Sequence, residues 1–309
     1  MSLLGTDKAS TKTMFDTVVL VGIGLLGGSL ARDLRAHGLA NKIIGVCRSE
    51  STAKLALEQN VVDLVLPIEK AVETADLIVL ATPMQVMLPL LKTIEGLVPD
   101  NAILTDVGSV KTDLYAQLKE DSPGHLPQFV LAHPIAGGEN SGVAASKLNL
   151  FVNKHVVITD TPEVSVEATE KVAAMWSVLG ANVLHMSVQE HDATFAKTSH
   201  LPHVIAFSLV NFLSHQADRE RLFDLAAAGF YDFTRIASSD AEMWRDICVT
   251  NRDEVLVALD GFKDQIELIR AKVESADQNE ILKYFGEAKS ARDIGLFNKA
   301  EAAKASKQV

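Results

Sequence analysis

The chain is short of cysteine, of positive charge and of long apolar runs, and each shortage narrows what it can be. Its 309 residues hold two cysteines, Cys47 and Cys248, far apart and in no metal-ligand spacing. That excludes a disulfide framework and sets a reducing, cytoplasmic location as the expectation. Lys plus Arg total 29 against 40 Asp plus Glu, a formal charge of −11. A phosphate backbone is bound by excess cationic side chains, so no nucleic-acid partner is expected, and any anionic ligand must find a locally positive pocket. No apolar run approaches the ~18–20 residues that cross a bilayer, and no membrane association is expected. The first residues, MSLLGTDKASTKTM, lack the apolar centre of a signal peptide. This leader is expected to be disordered, with Met14 a plausible start, and the tail EAAKASKQV to be frayed.

What is present is a core-forming composition, 48% hydrophobic, in a length that suits two domains better than one. From Phe15 to about Met186 short apolar runs alternate with helical stretches. The strand candidates are FDTVVLV, KIIGVC, DLIVLAT, AILTDVG, FVLAHP, HVVITD and ANVLHM. Alternation of this kind reads as a doubly wound α/β domain with a mostly parallel sheet. After Ser187 the strand signals stop. The stretches EHDATFAKTSHLPHVIAFSLVNFLSHQ and NRDEVLVALDGFKDQIELIRAKVESA keep helical periodicity, so a second, all-helical domain is expected. The expected division is 14–187 and 188–309.

The segment VLVGIGLLGGSLA sets Gly22, Gly24 and Gly27 in a G-x-G-x-x-G pattern after a predicted strand and at a predicted helix start. In that context the first glycine permits the turn, the second lets a pyrophosphate approach the backbone, and the third packs helix on strand. The helix start at Leu25 and Leu26 then offers unpaired N–H groups to phosphate. The pattern points to a Rossmann-type dinucleotide site, with a packing-only turn as the bland alternative. About 20 residues on, an NAD site usually carries an acid for the ribose hydroxyls. Here GVCRSES puts Cys47 in that place, followed by Arg48, Ser49 and Ser51, which suit a 2′-phosphate. NADP is therefore expected over NAD, although Glu50 is a displaced candidate for the ribose and Arg48 can equally be a solvated charge.

Ligands of an open α/β sheet sit beyond the carboxyl ends of its strands. LATPMQ places Thr82 and Pro83 there, lining a cofactor cleft or simply ending a strand. TDVGSVKTD places Ser109 past a strand and Lys111 near a helix start, either in the cleft or as an N-cap and a surface charge. In LAHPIAGGENSG, His133 ends an apolar strand and precedes Pro134, two glycines and Glu139. It reads as a structural histidine or as the group that manages the proton accompanying hydride transfer. SHLPH sets His200 and His203 at i and i+3. A metal would need further ligands, and His191 and Glu190 carry no recognisable spacing, so no metal is expected and substrate contact or capping is favoured. Finally, AGFYDFTRIASSDAEMWRDI surrounds Arg235 with apolar and aromatic residues. Such an arginine should be paired with a carboxylate, whether Asp232, Asp240 or a bound substrate.

Taken together, GIGLLGGS, DVGSVK, HPIAGGENSG, SHLPH and GFYDFTRIASSDAEMWRDI resemble the prephenate/arogenate (cyclohexadienyl) dehydrogenase family of tyrosine biosynthesis, from about Met14 to past Asn251. The resemblance implies a Rossmann-type domain followed by a helical dimerisation domain, hence a homodimer. It implies oxidative decarboxylation of prephenate to 4-hydroxyphenylpyruvate, or of arogenate to tyrosine, with reduction of NADP or NAD. It assigns His133 as the catalytic histidine, Ser109 as the holder of the ring hydroxyl, and Arg235 as the carboxylate-binding arginine. It sets His200 and His203 near substrate and cofactor and makes Glu139 a pocket residue. The chain departs from the family pattern at Gly138, where some relatives have Thr, and at Tyr231, where many have Lys or Arg. Both departures alter the pocket for the substrate's side-chain end. Two other readings remain: another NADP-linked dehydrogenase acting on a hydroxyacid or imine, which would commonly use a lysine of the helical domain, and a non-catalytic NADP-binding module.

Overall fold

A computed structural model describes residues 13–138 and 140–305. The expectations for the leader, for Glu139 and for the last residues of the tail lie outside the described residues. Among those described, β1 (Phe15–Val21), β2 (Ala40–Val46), β3 (Leu64–Val65), β4 (Leu77–Leu80), β5 (Ile103–Asp106), β6 (Phe129–Pro134), β7 (His155–Asp160) and β8 (Asn182–Ser187) form one sheet. Its order is β3-β2-β1-β4-β5-β6-β7-β8. Neighbours are parallel except β6 and β7, which are antiparallel. The sheet is thus mostly parallel, as its alternating sequence indicates. All seven strand candidates are present. The eighth, β3, has two residues at the sheet edge, too short to show any period.

The central strands β1, β4, β5 and β6 are buried on both faces, as parallel strands with helices above and below must be, while the edge strands β3 and β8 are not. Along β1 the side chains alternate between two cores, Val18 and Leu20 joining one and Val19 and Val21 the other. The first core lies under α1 (Leu25–Ala36) and α6 (Val166–Val178), where Trp176 and Phe151 meet edge to face at 5.0 Å. The second lies under α4 (Met84–Thr93) and α5 (Thr112–Asp121). Two shorter helices, α2 (Glu50–Glu58) and α3 (Ile68–Ala71), flank the β2–β3 side. Chain order reverses between β1 and β4, which opens a crevice at their carboxyl ends.

From Val188 the described chain is helical: α7 (Val188–Phe195), α8 (Leu201–Ser214), α9 (Arg219–Asp224), α10 (Ala228–Thr234), α11 (Ala241–Thr250), α12 (Arg252–Ser275) and α13 (Gln278–Ala305). The sequence pattern from Glu190 to Gln216 reads as one helix, but the structure interrupts it with a π turn at Ala196–His200. Pro202 has no N–H to continue an α-helical ladder, and the amide of Leu201 instead reaches back five residues to Ala196 O. No helix among the described residues is long and apolar enough to cross a membrane. Val257, Phe285, Ile294 and Phe297 of the last two helices are more than half exposed in the single chain.

Candidate active site

Gly22, Gly24 and Gly27 divide their tasks as the sequence pattern requires. Gly22 sits at φ +101°, and a methyl group there would collide with the carbonyl of Ala81. At Gly27 it would collide with Gly22 O, so helix and strand could not approach. Gly24 is different, since a methyl group there would meet nothing within 4 Å. Gly24 caps α1 in an extended conformation with no side chain bonded to the helix start. By contrast α2, α6, α7 and α11 are capped by Ser49, Ser165, Ser187 and Asp240. The first N–H groups of α1, from Leu25 and Leu26, have no intrahelical partner. Beside the turn, the buried Oγ1 of Thr82 has no hydrogen-bond partner, and Pro83 holds the N-cap position of α4. An uncapped helix start, an open glycine and an orphaned hydroxyl fit the phosphates of a dinucleotide.

At the end of β2, Cys47 is half-buried, and its thiol is pushed up in pKa by burial. Arg48, Ser49 and Ser51 are exposed. Ser49 Oγ accepts from Thr52 N at 3.4 Å and shares a 2.6 Å hydrogen bond with Ser51 Oγ. The RSES stretch is therefore the N-terminal turn of α2 with an arginine beside it.

The carboxyl ends of β5 and β6 carry the buried polar groups. Asp106 Oδ2 accepts from Lys111 Nζ at 2.5 Å and from Gly108 N at 2.7 Å, while Oδ1 accepts from Ala132 N at 3.1 Å. Lys111 Nζ also donates to Ala132 O at 2.6 Å. Lys111 is 0% exposed. Burial pushes its ammonium down from the ordinary value, and Asp106 and Asp192 act against that. The surface-charge reading of Lys111 is thus wrong, and its ammonium lies on Asp106 beneath the site. Nor is Ser109 the helix cap. Lys111 holds the N-cap position of α5, and the capping acceptor is Asp192, bonded to Lys111 N at 3.0 Å and Thr112 N at 2.7 Å. Ser109 itself stands half-buried between β5 and that cap.

His133, 8% exposed at the end of β6, shares a 2.8 Å hydrogen bond between its Nδ1 and His191 Nε2. His191 Nδ1 in turn meets Asp192 Oδ1 at 2.7 Å. Phe195 packs edge-on against His133 with ring centroids 5.0 Å apart. Burial, reinforced by the nearby titratable groups His191, Lys111 and His200, pushes His133 well below the usual imidazole range. It is therefore a neutral base at neutral pH.

His200, 1% exposed, lies against Asn251, whose Nδ2 is 3.1 Å from His200 Nδ1 and 3.0 Å from Asp192 O. His203 stacks on Trp244 at 3.8 Å and donates from Nδ1 to Ser199 O at 2.9 Å. It borders a cleft of about 260 Å³ together with Arg235, Ile236, Ser239, Gly137 and Gly138. Arg235 is exposed, against the apolar setting its sequence surroundings suggest, as are Asp232 and Asp240; Asp240 Oδ1 caps α11 through Met243 N at 2.8 Å. Tyr231 is not brought into the cleft: it is 52% exposed and donates to Phe223 O at 2.9 Å. Sequence reasoning missed Asp106, Asp192, Asn251 and Trp244, and it weighed His191 only as a metal ligand. Among the described residues no group of three or more His, Cys, Asp or Glu side chains is arranged to hold a metal ion.

Comparison with known proteins gives a consistent family. Residues 30–185 match the family model "Prephenate dehydrogenase, nucleotide-binding domain", and residues 187–287 match "Prephenate dehydrogenase, dimerization domain". The first match begins beyond the glycine turn, so that turn stands on its own geometry. A prephenate dehydrogenase of Bacillus subtilis is 36% identical over 286 residues, 91% of this chain and 76% of the relative. A cyclohexadienyl dehydrogenase of Zymomonas mobilis is 32% identical over 283 residues, 91% of this chain and 96% of the relative. A crystal structure of prephenate dehydrogenase from A. aeolicus, in complex with hydroxyphenyl propionate and NAD+, superposes with a TM-score of 0.86 at 34% identity, covering 91% of this chain and 99% of that one.

Proposed function

Because the chain belongs to the prephenate dehydrogenase family, we propose that it oxidatively decarboxylates prephenate to 4-hydroxyphenylpyruvate, with arogenate as the alternative substrate. The observation that carries this reading is His133, neutral at a strand end on the same carboxyl edge of the sheet as the glycine turn, three strands along from it, with no described hydrogen bond to its Nε2. When bound, the nicotinamide dinucleotide accepts the hydride from the carbinol carbon. Residues 14–187 would hold that cofactor through the turn at Gly22, Gly24 and Gly27, the amides of Leu25 and Leu26, and Thr82 and Pro83. Residues 188–309 would complete the substrate site and pair with a second copy. The exposed apolar side chains of α12 and α13 suit such a homodimer, and the setting is proposed as cytoplasmic.

His133 Nε2 takes the ring-hydroxyl proton while the hydride departs, with Ser109 holding the same hydroxyl. The bond to the ring carboxylate then breaks, and its electron pair enters the ring as carbon dioxide leaves. The held proton returns to the oxygen as the ring becomes aromatic, so the net reaction releases none. Aromatisation supplies the driving force, and the protein's tasks are orientation and proton management. Arg235 suits the side-chain carboxylate, because a guanidinium offers two parallel donors to a carboxylate. His203 lines the same cleft as Arg235, with His200 three residues before it, and Glu139 is proposed for the rim of the same site; Tyr231, turned away from the cleft in the single chain, is proposed only as a residue that bears on the substrate's side-chain end.

For the cofactor, Arg48 with Ser49 and Ser51 favours the 2′-phosphate of NADP. Ser49 Oγ is already engaged as a cap, which leaves the guanidinium as the main discriminating group. The test is a steady-state assay of the purified protein with prephenate or arogenate, each offered with NADP and with NAD. Reduction of the dinucleotide with either substrate is the expected result, stronger with NADP. A preference for NAD would overturn the role of Arg48 alone, and no reduction in any of the four combinations would overturn the proposed activity.

A further inference from the structure

We propose that Asp192 and Asn251 are positioning residues that fix the two buried histidines in opposite tautomers, His133 with a bare Nε2 and His200 with a protonated Nε2. The inference rests on the function proposed above for its consequence, but its derivation starts from hydrogen-bond chemistry alone. Asp192 accepts from the amides of Lys111 and Thr112 and stands 2.7 Å from His191 Nδ1. Burial pushes its carboxyl up, yet the hydrogen bonds from His191 and Thr112 outweigh that and hold it below the ordinary value. An ionised carboxylate can only accept, so the proton of His191 is on Nδ1. Burial pushes His191 down and keeps it neutral, which leaves its Nε2 bare. The 2.8 Å contact with His133 Nδ1 then requires His133 to be the donor. His133, also neutral, has its lone pair on Nε2.

The second chain of contacts runs from the other side of the same residue. Asp192 O is a carbonyl and can only accept, so the Asn251 atom 3.0 Å from it is the amide nitrogen. The other hydrogen of that nitrogen faces His200 Nδ1 at 3.1 Å, which must therefore be bare. Burial holds His200 at a pKa of about 4, so it carries one proton at neutral pH, on Nε2. The two histidines are thereby distinguished: His133 can take a proton from substrate, whereas His200 can only donate a hydrogen bond. When His133 becomes an imidazolium during turnover, its Nδ1–H still points along a chain that ends on the Asp192 carboxylate, the arrangement that stabilises such a charge. Asp192 also joins the two halves of the molecule, because α7 carries it and α5 is the helix it caps.

The experiment is long-range proton–nitrogen correlation of the imidazoles in the full-length protein labelled with nitrogen-15 histidine, which reports the protonated nitrogen of each ring. Signals are assigned by single His→Asn variants. The expected spectrum shows His133 and His191 protonated at Nδ1 and His200 at Nε2. Asn251→Asp replaces the donor facing His200 with an acceptor, so the proton of His200 should move to or be added at Nδ1. The kcat should fall about 10-fold or more, as for other losses of orienting partners, with dinucleotide Kd within about twofold of the parent. A proton on His133 Nε2 in the resting protein would overturn the proposal. So would an Asn251→Asp variant with unchanged His200 tautomer and kcat. If that variant does not fold, the spectrum of the parent protein decides. The spectra require no substrate, so a parent protein that fails to turn over prephenate would overturn the proposed function and leave the tautomers standing.

Discussion

Replacing Lys111 with Met should destabilise the protein by about 3–5 kcal/mol, the range for removing one partner of a fully buried ion pair. The geometry sets the figure. Both side chains of the pair are 0% exposed, so water cannot compensate the carboxylate of Asp106 once the ammonium is gone. Methionine replaces the aliphatic stem with nearly equal volume, so little of the loss is a packing loss. Asp106 keeps the amides of Gly108 and Ala132, which places the expectation toward the lower end. A loss of about 3 kcal/mol corresponds to a fall in melting midpoint of roughly 5 °C for a chain of 309 residues, at about 2.1 cal/mol/K of unfolding entropy per residue. Equilibrium urea unfolding at fixed protein concentration measures it, with an unchanged m-value showing that the same surface unfolds. The double variant Asp106→Asn/Lys111→Met removes both charges but turns an amide NH2 toward one of the two backbone donors, Gly108 N or Ala132 N, so it should recover part of the loss and not all of it. A Lys111→Met cost below about 1 kcal/mol, or a double variant no better than the single one, would refute the reasoning.

Other expectations follow from separate parts of the site. Gly27→Ala should abolish measurable dinucleotide binding by calorimetry, since its methyl group collides with Gly22 O; affinity within threefold of the parent would contradict the turn's role. Arg235→Ala should raise KM for prephenate by about 10-fold or more with a smaller change in kcat, the pattern for lost substrate binding; an unchanged KM would remove the carboxylate assignment. Stability should fall as pH drops below about 6.5. His200 is depressed to about 4 in the folded chain, so the unfolded state binds more protons between those values. The stabilisation is full above the unfolded pKa and is lost as pH falls toward 4, by about 2 kcal/mol at pH 5 for this group alone. Unfolding midpoints measured from pH 8 to pH 4.5 test the sign, and a protein equally stable at both ends would show that His200 is not buried neutral.

Much of the fold is legible because its signals are local. FVLAHP and HVVITD are strands at the residues where their apolar runs begin and end, and Gly22, Gly24 and Gly27 announce a turn within six residues. His133 stands out for the same reason, as a titratable residue closing an apolar strand. The network behind it is not local. His191 lies 58 residues from His133, and Asp192 lies 80 from Thr112. Nothing in EHDATF distinguishes an orienting pair from a surface one. Lys111 shows the same limit from the opposite side, because sequence gives the charge while burial is decided by strands β5 and β6 packing around it. The π turn before α8 had a local signal in Pro202, but the pattern of apolar residues runs through it unbroken.

The most direct test of the central claim, that His133 is the base, is the steady-state and binding comparison of His133→Asn with the parent protein. Asparagine keeps a donor near His191 and removes the lone pair of Nε2. The account predicts that kcat with prephenate falls by roughly 100-fold or more, while the Kd for the dinucleotide, measured by calorimetry, is unchanged within about twofold. A His133→Asn variant that turns over prephenate at close to the parent rate would contradict it.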